Sequence, residues 1–295
     1  MIILGIDIGG TNFRIGAVNE KNELVKFEKV SVGTVFQSGD ILTDLATKIK
    51  EFGENLDYAA VAIGFPATLN ADRSRVIQAP NIPFMENLPV CSELRETLGV
   101  PVYAERDVTY ALCYDSNKYE LPNKGMTCGI YFGTGIGNAI SINGMPLVGA
   151  HGTAGEIGHI PVAHSEEVCG CGNVGCSEAV AGGKALAKLQ REKYPDTPIG
   201  DMFAFHSEDT ELRDFVDMMA IVVATEVNIL DPDYMILGGG VFAMKGFPMD
   251  YLTERIEERV RKPLPLEELK LIYAEDEPDK SVVGAAIYAR NKMIQ

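Results

Sequence analysis

The chain has 295 residues, 46% of them hydrophobic, and a mean hydropathy of +0.03, which describes an ordinary soluble globular protein of about two domains. Its formal charge of −16 and pI of about 4.7 argue against nucleic acid or an anionic membrane as partner, because both are bound through basic patches. The start, MIILGIDIGG, lacks the pattern of a secretory signal, no apolar run is long enough to cross a bilayer, and Cys91, Cys113 and Cys128 are scattered singly, so a reduced, cytoplasmic chain is expected.

In chain order, the apolar run Ile2 to Ile6 leads through Asp7-Ile8-Gly9-Gly10-Thr11-Asn12 into a second run from Phe13 to Val18. The period-two alternation after the glycines predicts strand, turn, strand, unlike the strand-to-helix loop of Rossmann or Walker motifs. Exposed backbone N–H groups at Gly9 and Gly10, with the side chains of Thr11 and Asn12, suit phosphate, although a Gly-Gly turn is also common in plain hairpins. A helical face follows at Ile41, Leu42, Leu45, Ile49 and Phe52, then a buried strand from Tyr58 to Phe65 and a short helix from Cys91 to Leu98. Pro66, Asn70 and Asn81 lie in polar loops, as turn residues or as donors to a polyol. Pro101 to Ala104 reads as a strand ending at Glu105-Arg106-Asp107, beyond which a helix resumes. A carboxylate at that corner is either a catalytic base or an acid complementing the helix dipole.

The hairpin device recurs: Gly129 to Phe132 leads into Gly133-Thr134-Gly135-Ile136-Gly137-Asn138, then Ala139 to Ile142 and an Asn143-Gly144 turn. A third cluster, Gly238-Gly239-Gly240, follows the strand Tyr234 to Leu237, itself preceded by a long buried helix from Glu211 to Leu230 that Asp231-Pro232 stops. Three glycine clusters at strand ends favour a nucleotide site, and two related hairpins suggest two related domains. Between them, His159, Cys169, Cys171 and Cys176 have the spacing of a four-ligand zinc site, with Gly170, Gly172 and Gly175 permitting tight turns. Four protein ligands leave no open position for water, so the zinc is expected to be structural and to orient the flanking carboxylates of Glu156 and Glu178.

Taken together, these motifs closely resemble the repressor, open reading frame and kinase (ROK) group of sugar kinases, over the whole chain: DIGGTN, Glu105-Arg106-Asp107, FGTGIGN, GEIGH, CGCGNVGC with Ser177-Glu178, LDPDYMILGGGV, and a closing helix near Ser281 to Ala289. The resemblance implies an α/β fold of duplicated ribonuclease H-like domains, as in actin and hexokinase, with an interdomain cleft. It places the first domain at 1–112, completed by a C-terminal helix 282–295, and the second at 113–281, with the zinc loop 159–176. It implies ATP and a hexose as substrates, Mg²⁺ and structural zinc as cofactors, and a homodimer. Asp107 becomes the base; Asn81, Glu156, His159 and Glu178 line the sugar site; Gly9, Gly10, Thr11, Gly133 and Thr134 surround the phosphates, with Asn12, Gly135, Gly239 and Gly240 in the same glycine clusters. Asp7 is the carboxylate expected to hold Mg²⁺ through water.

Hexokinase-like members of the group carry Asn-Asp-Ala-Asn at the corner, where this chain has Arg106-Asp107-Val108-Thr109. Arginine only donates, so Arg106 is expected to alter the choice of sugar hydroxyl, or else to pair with Glu105 or another acid and order the helix start. With GFPA at 64–67 and APNIP at 79–83, the substitution resembles the D-allose kinase branch; glucokinase, fructokinase and N-acetylmannosamine kinase are the alternatives within the group. The group also contains repressors with an added helix-turn-helix. A strand beginning at Ile2 and an acidic chain point away from that class, leaving a catalytically silent sugar sensor as the different-class alternative.

Overall fold

The computed structural model describes residues 1–162 and 165–294. Strands β1 (Ile2–Ile8), β2 (Asn12–Val18) and β3 (Leu24–Ser31) form an antiparallel meander, and after helices α1 (Val32–Val35) and α2 (Ile41–Phe52) comes β4 (Tyr58–Phe65), which runs parallel to β1. A two-stranded ribbon, β5 (Thr68–Leu69) with β6 (Val76–Gln78), and helix α3 (Val90–Leu98) precede β7 (Val102–Arg106), parallel to β4, giving the sheet order β3-β2-β1-β4-β7. Helix α4 (Asp107–Lys118) follows without a linking residue. The strand therefore extends two residues past the expected Ala104, and Glu105 and Arg106 are held by pairing with Gly64 and Phe65.

The same topology occurs a second time. Strands β8 (Met126–Phe132), β9 (Ile136–Ile142) and β10 (Met145–Pro146) form an antiparallel meander. Helices α5 (Glu178–Ala181), α6 (Gly183–Lys193), α7 (Met202–His206) and α8 (Thr210–Leu230) intervene before β11 (Tyr234–Gly238), which runs parallel to β8. Helix α9 (Met249–Arg259) then leads to β12 (Lys270–Tyr273), so the sheet order is β10-β9-β8-β11-β12. The fold is thus α/β, with duplicated ribonuclease H-like domains. In α8 the expected stop is made by Asp231, which adopts φ 48° and donates its N–H to Val227 O.

By contacts the chain forms one unit from residues 1–121, 147–154 and 277–295 and another from 122–146 and 155–276. The first unit reaches beyond residue 112, the expected domain end, because α4 is continuous to Lys118. In this unit the closing helix α10 (Lys280–Ile294) lies directly on β1 and α4. A Cβ on Gly5 would sit 2.0 Å from Val282 O, and one on Gly284 would sit 1.9 Å from Tyr110 O. A buried Lys280–Asp115 ion pair at 2.9 Å fastens α10 to α4. In the second unit the core gathers on α8, whose Leu212, Phe215, Met219 and Val223 pack with Ile130, Phe132 and Met235 of the sheet. Among the described residues no helix is long and apolar enough to cross a membrane.

Candidate functional site

In the first unit, β1 delivers Asp7 to the mouth of a turn closed by Gly9 N–H donating to Asn12 O at 2.9 Å. The β1–β2 register sets Arg14 opposite Asp7, and Arg14 Nη1 meets Asp7 Oδ2 at 2.6 Å. Burial raises the pKa of Asp7 against the opposing pull of Arg14. A Cβ on Gly10 would stand 3.1 Å from Asn81 O, so bare backbone at Gly10 lets the Asn81 loop lie beside the turn, where Thr11 is exposed. Asp107 opens α4, and its Oδ1 accepts the Val108 N–H at 2.8 Å. Burial first, and the Asp7 charge second, push its pKa up to about 7. That is the range in which a general base works best near neutrality, since a useful fraction is deprotonated yet still holds a proton well.

Glu105 is fully buried and bonded on both oxygens: Oε2 takes Arg73 Nε at 2.9 Å and Oε1 takes the Arg106 N–H at 2.9 Å. Arg106 Nη2 donates to Ala154 O at 2.8 Å. Arg73 has no local motif that would single it out in the sequence; its signal is conformational, a non-glycine residue at φ 59°. Asn70 is a turn residue, with its Oδ1 accepting from Ser74 N–H and Arg75 N–H, both at 3.0 Å.

In the second unit, the four expected metal donors come together: the ligand atoms of His159, Cys169, Cys171 and Cys176 all lie within 4.8 Å of one another, the one such group among the described residues. Cys169 Sγ is 3.5 Å from His159 Nδ1, and Cys171 Sγ is 3.6 Å from Cys176 Sγ. Tetrahedral zinc at its usual bond lengths separates its donors by about 3.6–3.8 Å, so this donor set fits the ion. His159 turns Nδ1 to the thiols and Nε2 toward Glu156 Oε2, 3.7 Å away, while Cys169 Sγ lies 3.9 Å from Glu178 Oε1. Both flanking carboxylates thus stand beside side chains of this donor set, where an outer shell would orient metal ligands.

Glu178 has a second contact: its Oε2 accepts the Ile136 N–H at 2.9 Å, and a Cβ on Gly135 would come within 2.0 Å of that oxygen. The Gly133–Gly135 turn closes by Gly133 N–H to Gly135 O at 3.0 Å. It is braced by Gly183 N–H to Gly133 O at 2.8 Å and Lys184 N–H to Thr134 O at 2.9 Å. Gly239, at φ +104°, packs against Phe132, where a Cβ would lie 2.5 Å from the carbonyl, while Gly133 and Gly240 have open space beside them. Bare backbone from three segments therefore converges at the ends of β8 and β11. The Gly182-Gly183-Lys184 segment was not expected there from sequence; its doublet of glycines at a helix start is the signal that could have marked it.

The chain matches the model of the ROK family over residues 3–292. It is 27% identical to the glucokinase of Thermotoga maritima, covering 99% of this chain and 98% of that protein. It is 30% identical to the N-acetyl-D-glucosamine kinase of Histophilus somni, over 88% and 89% of the two chains. The crystal structure of a ROK family glucokinase from Streptomyces griseus in complex with glucose and AMPPNP superposes with a TM-score of 0.81 at 25% identity, covering 99% of this chain and 100% of that one. A match running through both sheets, both glycine hairpins and the cysteine loop places this chain in the ROK family.

Proposed function

We propose that the protein is an ATP-dependent hexose kinase acting on the sugar 6-hydroxyl, with D-allose as substrate and D-allose 6-phosphate as product. The observation that carries the kinase reading is Asp107, a carboxylate at a strand-to-helix corner whose proton affinity lies near neutrality. In phosphoryl transfer the protein mainly aligns groups and offsets charge. The sugar oxygen bonds to the γ-phosphorus, the bond to ADP breaks, and Asp107 takes the hydroxyl proton. Backbone N–H groups of the Gly9–Asn12 and Gly133–Gly135 turns, with Gly239 and Gly240, hold the phosphates. Mg²⁺, held through water by Asp7, would supply further charge neutralisation on the phosphate oxygens.

For the sugar, Asn81, Glu156, His159 and Glu178 are the proposed hydroxyl ligands. Zinc on His159, Cys169, Cys171 and Cys176 would be structural, with four protein donors and no open position, keeping Glu156 and Glu178 oriented. D-Allose is supported by the likeness of GFPA at 64–67, APNIP at 79–83 and the Arg106-Asp107-Val108-Thr109 corner as a whole to the D-allose kinase branch, not by a contact of Arg106 with the sugar. A gluco-configured sugar is the second reading, favoured by relatives named glucokinase and N-acetyl-D-glucosamine kinase. A coupled ADP-release assay over allose, glucose, N-acetylglucosamine, mannose, fructose and N-acetylmannosamine tests both. The highest kcat/KM on a hexose other than allose removes the allose assignment, and no turnover on any of them removes the kinase reading in favour of a sugar sensor.

A further inference from the structure

Residues 147–154 interrupt the second unit in sequence yet belong by contacts to the first. The segment closes on itself, with Ala154 N–H donating to Val148 O at 3.1 Å and Gly152 N–H to Gly149 O at 3.4 Å. Two arginines clamp it. Arg106 Nη2 donates to Ala154 O at 2.8 Å, and Arg73 Nη1 donates to Gly152 O at 2.9 Å while its Nε is bound to buried Glu105. Gly152, at φ +83°, is buried so closely that a Cβ would stand 2.3 Å from Leu69 O and 2.9 Å from Arg73 Nη1. The clamp is buried and charged: Glu105 is 0% exposed, Arg106 7% and Arg73 8%. A buried ion pair adds little net stability compared with apolar packing, so its better-attested use is to specify one arrangement. Glu105 and Arg106 immediately precede Asp107, and Glu156 follows the clamped Ala154 by two residues, a span of at most about 7 Å of chain.

We infer that Arg73 and Arg106 are positioning residues which, by clamping loop 147–154 to the strand end that carries Asp107, fix the entry of the Glu156–His159 segment that supplies sugar ligands. The inference rests on the hexose kinase reading for the role of that segment, while the clamp itself stands on the contacts above. Arg106 then acts on the sugar through the loop, so its loss weakens every hexose alike, and it leaves the glycine turns that hold nucleotide untouched.

The test uses full-length Arg106→Met and Arg73→Met, with Arg106→Lys as the conservative variant and a thermal melt to verify folding. Amide hydrogen exchange is followed at Gly152 and Ala154, and KM is measured for allose, glucose and ATP. The expected result is exchange faster by roughly ten-fold or more in the Met variants, as loss of a charged hydrogen bond to the buried Gly152 carbonyl or the half-buried Ala154 carbonyl implies, with partial recovery in Arg106→Lys. Hexose KM should rise by a similar factor for both sugars and ATP KM should stay within about two-fold. Unchanged exchange overturns the clamp, and equal rises in hexose and ATP KM reduce it to a general structural role. A changed allose-to-glucose ratio with unchanged exchange assigns Arg106 to the sugar directly. A wild type that neither binds hexose by calorimetry nor phosphorylates it defeats the kinase reading instead, an outcome separate from the exchange result.

Discussion

Replacing Asp107 with Asn keeps the side chain's size and its acceptor for the Val108 N–H, but removes the capacity to take a proton. The wild-type carboxylate, raised to about 7 by burial and by the Asp7 charge, is deprotonated in about one molecule in ten at pH 6 and about nine in ten at pH 8. Acting as base, it makes kcat rise with pH across that window. Loss of a general base lowers kcat by roughly 10²-fold or more, and the amide variant should lose the pH dependence as well. Hexose affinity, read by calorimetry, should change little. The sign on stability is opposite to that on activity. A carboxylate whose folded pKa is raised stabilises the fold fully only below its unfolded value and loses that contribution as pH rises through about 7, so Asp107→Asn should melt above wild type at pH 8 and not at pH 4. The assay is coupled ADP release at saturating ATP and hexose from pH 5.5 to 8.5, with parallel melts. Near-normal turnover in the variant, or a flat wild-type profile between pH 6 and 8, would refute the role of Asp107.

Purified protein should contain one zinc per chain by atomic absorption, and Cys171→Ser should lower both Tm and hexose affinity, since ligation energy is folding energy; metal-free protein with full stability and activity would undo the assignment. Glu226, buried among Asn138 and Cys128 with its pKa pushed up by burial to about 7, likewise stabilises less as pH climbs from 4.5 to 7, so Glu226→Gln should gain up to about 3 kcal/mol at pH 8 relative to pH 4, and equal denaturation midpoints at the two pH values would contradict it. Gly135→Ala would drive a methyl into Glu178 Oε2, so both ATP and hexose KM should rise, by roughly ten-fold; an effect on neither shows that the turn does not bear on the site.

Local signals in the sequence determined a good deal of this protein. Period-two runs around glycines specify the β1–β2 and β8–β9 hairpins, because side-chain alternation and φ freedom are properties of adjacent residues. The donor set His159, Cys169, Cys171 and Cys176 is legible for the same reason, as short spacings limit how far ligands can separate. The edge strand Leu24–Ser31 carries no alternating signal, since none of its residues is fully buried, only Leu24 and Val30 pack against a core, and its sequence is rich in charge. Tertiary structure alone decided the rest. The Glu105–Arg73 pair spans 32 residues, the Arg106–Ala154 bond 48 and the Lys280–Asp115 pair 165, distances at which no periodicity or spacing carries information. The proton affinity of Asp107 is of the same kind: its residue type is plain in the sequence, but the burial and the neighbouring Asp7 charge that raise it exist only once β1 and β7 lie in one sheet.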